Sequence, residues 1–339
     1  MPNSENAKLE YEAGQTPVAF TALTDQGDYT EFKSAAQLWS GRAGYAPDVK
    51  PNGVATGLAV SVAASGSDDV VDVAAGTVYL AGVLTSVSAD ADLSIPRPAG
   101  DAYQKLSITI NSSGALAVVE GAEHTAFATG RGEDGGPPWI PTGSIEIAQV
   151  WYSSVTSAPV ALSEIKQTPG VYREMYLYPT WQVVYGEVAN GILGYAGVTF
   201  DSALAAIHSD DSGTTVAGKK VYTSYYTPDF AELVDAYDFV SPENSHTISS
   251  KQVYGRTKGS KSSSLNQGSF SADLNDGISD NMLQYKDSFL WFRFYQNRLN
   301  TPYILTQGYL GVAPSFPAGD NVSAACTISA ETAALRVTA

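Results

Sequence analysis

The stretch Asp273-Leu-Asn-Asp-Gly-Ile-Ser-Asp-Asn-Met-Leu283 sets three acids, two asparagines and a glycine in a row of eleven positions. Such a density of oxygen ligands raises three readings: a calcium loop, a catalytic cluster, or a turn. A helix-loop-helix calcium site needs oxygen ligands at loop positions 1, 3 and 5, glycine at 6 and glutamate at 12. Counted from Asp273, position 5 is Gly277, position 6 is Ile278 and position 12 is Gln284, so the register fails. The better local reading is a strand end closed by Asn275-Asp276-Gly277, then a short turn capped by Ser279 or Asp280 and containing Met282 and Leu283.

Two glycine patterns resemble nucleotide loops and fail on context. Gly130-Arg-Gly132-Glu-Asp-Gly135 has the dinucleotide spacing, but that chemistry needs a helix N-terminus to receive the pyrophosphate, and the following Gly136-Pro-Pro-Trp139 forbids the helix. In Gly213-TTVA-Gly218-Lys219-Lys220, Lys220 stands where a phosphate loop needs a magnesium-binding hydroxyl, and VYTSYY runs on as a strand. The histidines, His124, His208 and His246, stand in unrelated contexts, and no serine sits in a nucleophile elbow. The lone Cys326 excludes an internal disulfide and, with three scattered histidines, a thiol-built metal cluster. These residues give no reason to expect an enzyme, a cofactor or a metal.

The charged residues point elsewhere. Lys251-QVYGRTKGSK261 holds Lys251, Arg256, Lys258 and Lys261 with no acid among them, in a chain of net charge −16. That total argues against gripping nucleic acid, which takes clustered basic side chains. Alternation on both sides of the run predicts a long hairpin whose basic tip meets an acidic neighbour, and a copy of the same chain is a natural candidate.

The elements that must position these residues read mainly as strands. In 339 residues, 44% are hydrophobic and 16% charged, a globular composition with room for two domains. Residues 1–50 show weak periodicity and read as an arm or lead-in. Residues 51–168 read as a β domain of short strands, best seen in Lys105-LSITINSSGALAVVEG, where Leu106, Ile108 and Ile110 face one way and Asn111 to Gly114 turn the chain. The tract Thr129 to Gly143, rich in glycine and proline, predicts an exposed loop. Gln167-Thr-Pro-Gly170 is the best boundary, and 169–339 reads as a second β domain of aromatic strands.

Two short helices are expected there. In Thr227 to Phe239, Pro228 suits a first helical turn and Phe230, Leu233, Val234 and Tyr237 share a face; Asp201-SALAAIH is the other. Near the end, Val322, Ala324, Cys326 and Ile328 alternate as in a strand, which makes the cysteine a small core residue. Asn111-Ser-Ser and Asn321-Val-Ser fit the glycosylation pattern but read as turn and strand residues. No stretch has the apolar length of a signal peptide or membrane span, and the expectation is a protein made and used without secretion.

Six segments then occur in one order: Ala203-LAAIH, Lys220-VYTSYYTPDFAELVDAYDF, SSSLNQGSFSADLNDGISD, FLWFRFYQN, TPYILTQGYLG and NVSAACTISA. Together, over roughly residues 196–335, they resemble the major tail tube protein of long, non-contractile-tailed bacteriophages. The resemblance implies a mainly β chain of two β-sandwich or barrel-like domains, the C-terminal one tail-tube-like with a short flanking helix and the N-terminal one an addition on the tube exterior. It implies a virion structural protein that assembles in the bacterial host cytoplasm. Six copies would form a ring, and rings would stack into a tube whose acidic channel passes double-stranded DNA without binding it. Tape-measure, tail terminator and baseplate proteins would be its partners, and Lys251, Arg256, Lys258 and Lys261 would make an inter-subunit contact.

A second class of function stays open from the residues alone. Trp139 beside Pro137 and Pro138 is an aromatic that can stack on sugars, as in a receptor- or carbohydrate-binding module of a tail fibre, baseplate or adhesin.

Overall fold

A computed structural model describes residues 6–27, 31–34, 48–167, 174, 182–187, 194–199, 207–208, 220–277 and 280–338. The fold is mainly β, built from several antiparallel sheets with no closed barrel among the described residues. The chain divides into two compact units, each assembled from pieces distant in sequence. One comprises Met1–Thr16, Ala189–Ile192 and Thr227–Ala339; the other comprises Pro17–Val188 and Leu193–Tyr226.

The first unit is a sheet in the order Ala236–Val240, Gly268–Asp273, Ser323–Ser329, Tyr303–Ser315, Phe289–Tyr295, and then the opening of the Lys8–Ala22 strand. Period-two alternation sorts its side chains by face. Leu9, Tyr11, Phe270, Leu290, Phe292, Leu310, Cys326 and Ile328 join one apolar cluster. Leu9 and Tyr11 come from the 1–50 stretch expected as a lead-in arm. On the opposite face of the same strands Glu10 meets Arg293 at 2.7 Å, and the Arg293 guanidinium lies 3.6 Å from the centre of the Phe230 ring. Burial pushes the Cys326 thiol up to about 11. The neutral, enclosed thiol will therefore resist an aromatic disulfide reagent at neutral pH in the folded protein and react stoichiometrically once denaturant is added.

The second unit packs the sheets Gly53–Gly57 with Gly76–Leu80 and Val83–Val87, Val60–Val62 with Val70–Val73 and Asp90–Ser94, and Leu116–Glu120 with Gln104–Ile110, Ile145–Tyr152 and Ile165–Lys166. Their inward side chains, among them Val54, Leu58, Val71, Val78, Ile95, Leu106, Ile108, Ile147 and Tyr152, make one core. The expected hairpin is present, with Ile110 opposite Leu116 and Leu106 opposite Glu120. Its turn is closed by the Asn111 side-chain oxygen, which accepts from the backbone of Ser113 and Ala115, and by Gly114 at φ 85°. Gln104–Ile110 departs from the expectation of one buried face, because all seven of its residues are buried.

Arg97 rivets the end of this core. Its Nε donates to Asp69 at 2.7 Å, a terminal nitrogen lies 3.4 Å from Glu164, and the guanidinium stacks 4.1 Å from the centre of the Tyr152 ring. Truncation by Arg97→Ala leaves two carboxylates facing a gap, and urea unfolding is expected to show a loss of about 2–4 kcal/mol.

The helix expected over Thr227 to Phe239 is not formed. Residues Val221–Glu232 are a strand, the chain turns through Asp235 at φ 63°, and Ala236–Val240 pairs with Gly268–Asp273 across an irregularity that includes Asp238 at φ 54°. Sheet pairing has overridden a helical apolar spacing, and two left-handed aspartates are incompatible with a continuous helix. The helix expected from Asp201 lies outside the described residues apart from its last two positions. Among the described residues the α-helix is one turn, Asn281–Gln284, and the Asp280 carboxylate accepts from the Met282 amide at 2.9 Å in the manner of a cap. Thus the acid-rich stretch is a strand end, a turn with Gly277 at φ 58°, and a capped helical turn; Ser279 lies outside the described residues.

Candidate functional site

Two features stand apart from the packing. The first is a ribbon of two antiparallel strands, Glu243–Val253 and Arg256–Asn266, which pair in continuous register from Glu243 with Asn266 to Val253 with Arg256. At about 3.3 Å per residue each arm is roughly 36 Å long. Tyr254 and Gly255 make the tip, and Gly255 takes the positive φ of 79° that the turn requires. Nearly every residue of the ribbon is exposed, including Ile248 at 78% and Tyr254 in full. Serine ladders hold the arms, with Ser249 and Ser260 hydroxyls 2.6 Å apart and Ser245 and Ser264 hydroxyls 2.8 Å apart.

Register and alternation sort the four basic residues. Lys251 lies directly opposite Lys258, and Val253 opposite Arg256, so Lys251, Lys258 and Arg256 share a face. Lys261 pairs with Ile248 and points to the other face, so the four form a group of three and a separate one. Like charges directly across a strand pair repel.

The second feature is the polar face of the Gln104–Ile110 and Ile145–Tyr152 pair. Lys105, Ser107, Glu146, Gln149 and Trp151 alternate with the core residues and would meet water if nothing covered them. The glycine- and proline-rich tract covers them. Arg131 reaches down to the carboxylate of Glu146, which is 1% exposed, and donates to the Pro138 carbonyl at 2.7 Å. Ser107 and Gln149 donate to the other Glu146 oxygen. Lys105 donates to the Ala128 carbonyl at 2.6 Å with its ammonium 3.8 Å from the centre of the Trp151 ring, and burial lowers its pKa.

The expectation of an exposed loop therefore fails in part: Gly135 to Pro138, Ile140 and Gly143 are buried. Placing Lys105 and Glu146 on the sheet's second face demanded partners, and the loop supplies them. The alternation of polar and apolar residues in Lys105-Leu-Ser-Ile and Ile145-Glu-Ile reads as one buried face, and the burial of the second depends on the covering loop, which local pattern does not reveal.

The covering tract also forms a cleft of ≈ 230 Å³, with Val119, Glu120, Glu133, Pro137, Pro138 and Trp139 in its lining. Gly130-Arg-Gly132-Glu-Asp-Gly135 shapes this loop; the Glu133 carboxylate accepts from the Gly130 amide at 3.1 Å. At its base, Glu123 clamps the neighbouring connection by accepting from the amides of Ala99, Gly100 and Asp101 at 2.7, 2.7 and 2.9 Å.

Of the histidines, His124 bridges to Tyr103 and His246 lies on the ribbon. His208 is buried, with Nε2 3.5 Å from a carboxylate oxygen of Glu174 and Nδ1 3.3 Å from the Pro141 carbonyl. The Gly213 to Lys219 pattern lies outside the described residues. No group of three or more metal-ligating side chains, and no helix long and apolar enough to cross a membrane, occurs among the described residues. These features define a mainly β protein with a projecting basic ribbon and a loop-built cleft. No family model, curated protein or solved structure matches the chain.

The three amide bonds hold the Glu123 carboxyl below the usual carboxylate range. Its folded value is thus lower than its unfolded one, so its contribution to stability is complete above the ordinary carboxylate pKa and is lost as pH falls through the folded value. Glu123→Gln is expected to be less stable than the parent at neutral pH, with the difference shrinking during an acid titration followed by thermal melting.

Proposed function

We propose that the chain is a virion structural protein, a subunit of a phage tail tube that forms stacked rings, six-membered by the resemblance, around a channel for double-stranded DNA. The observation that carries this reading is the ribbon. A two-stranded ribbon with neither face covered has marginal stability in water, and setting Lys251 against Lys258 weakens it further. An acidic surface docked on the Lys251, Arg256 and Lys258 face would relieve both problems, and other copies of a chain of net charge −16 offer such surfaces. A head-to-tail contact of this kind uses different patches on the two copies and extends into a filament. The acidic total also suits a wall along which DNA slides, by like-charge repulsion.

Electron microscopy of the purified protein should show rings or tubes, and a monomer that persists at high concentration would argue strongly against the reading. Replacing Lys251, Arg256 and Lys258 together by glutamate should abolish tube growth while leaving the circular dichroism spectrum unchanged. Lys261→Glu, on the other face, should cost much less. Wild-type tubes from the triple variant would refute the ribbon contact.

A further inference from the structure

We propose that the Trp139 cleft of the second unit binds a single neutral sugar ring of a glycan. Its volume of ≈ 230 Å³ falls below the range of about 300–1,000 Å³ common for larger organic ligands, and fits one ring. Trp139 is part-exposed although its neighbours Pro137, Pro138 and Ile140 are buried, so the indole is the aromatic surface this stretch leaves accessible, beside the exposed Gly132 and Glu133. An aromatic surface of this kind packs on the C–H face of a pyranose. The Glu120 and Glu133 carboxylates in the lining accept hydrogen bonds from sugar hydroxyls.

Ligand charge follows from the same lining. Two carboxylates and no basic side chain among the lining residues disfavour acidic sugars and phosphates. A cation is the competing occupant, but aromatic recognition of ammonium groups uses a cage of rings, and Trp139 is a lone ring in this lining.

The cleft is also rigid before any ligand arrives, which lowers the ordering cost of binding. Arg131 ties it to Glu146 beneath, Gln104 donates to the Gly121 carbonyl, and Gly132, Gly135 and Gly136 donate to the Pro137, Ala122 and Glu133 carbonyls. Gly132, at φ 72°, lies against the indole so closely that an added methyl would collide with Nε1 of Trp139. A methyl on Gly121 would strike the carbonyls of Lys105 and Gly136. These contacts fix the ring where a sugar would stack.

Saturation-transfer NMR on the full chain tests the site, with methyl β-glucopyranoside, methyl β-galactopyranoside, methyl α-mannopyranoside and N-acetylglucosamine as probes and tetramethylammonium as the cationic comparison. The expected result is saturable transfer to at least one sugar that Trp139→Ala removes, Trp139→Phe partly retains, and Glu120→Gln weakens about tenfold. Trp139→Phe and Glu120→Gln keep the comparison valid if Trp139→Ala disturbs the loop. Transfer to no sugar, transfer unchanged by all three substitutions, or saturable binding of tetramethylammonium alone would each overturn the proposal. Tube assembly is a separate readout that these substitutions should leave intact.

Discussion

The second unit depends on how the Glu146 carboxylate is neutralised. A charge this enclosed is tolerated in a protein only when donors surround it, and here Arg131, Ser107 and Gln149 do so. Because Ser107 and Gln149 belong to the sheet and Arg131 to the loop, satisfying one carboxylate also fixes where the loop lies. The Arg131 bond to the Pro138 carbonyl then sets the chain just before Trp139. The cleft, the buried glycines and the indole against Gly132 all lie on the loop that this one carboxylate, on the polar face of its strand, holds in place.

The two units solve the same problem with different chemistry. Each strand pair has two faces and only one can enter an apolar core. In the second unit the other face carries Lys105 and Glu146 and is closed by a loop. In the first it carries Glu10 and Arg293, which pair with each other, and the guanidinium rests on Phe230. Both use a long cationic stem to cover aromatic surface while its head meets an acid or a carbonyl.

What the residues disclosed beforehand depended on whether local pattern and tertiary demand agreed. Alternation in Lys105 to Glu120, the turn at Asn111 and the small-residue strand around Cys326 were legible because burial and hydrogen bonding favour what the pattern favours. The failed helix over Thr227 to Phe239 had spacing that suited a helix, but partners across the sheet that the local sequence does not reveal decided otherwise. The calcium and nucleotide patterns could be weighed from the residues alone, since those sites need a fixed register. The buried side of the glycine-rich tract was harder, because a loop's burial depends on charged residues on the two strands flanking it. The basic run was visible as a hairpin, whereas its division into Lys251, Arg256 and Lys258 against Lys261 needed the register.

The ribbon has a further property that follows from its exposure. In most sheets a slip of one residue is forbidden because it turns the apolar side chains to water. Here no face is buried, and serines recur on both arms, so a slipped pairing finds nearly the same neighbours. The alignment of the arms is set at one end by the Tyr254-Gly255 turn and at the other by the strand Gly268–Asp273, which follows the ribbon directly and is anchored in the sheet of the first unit. Between these anchors the register is held by the number of residues in each arm and not by the identity of the serines.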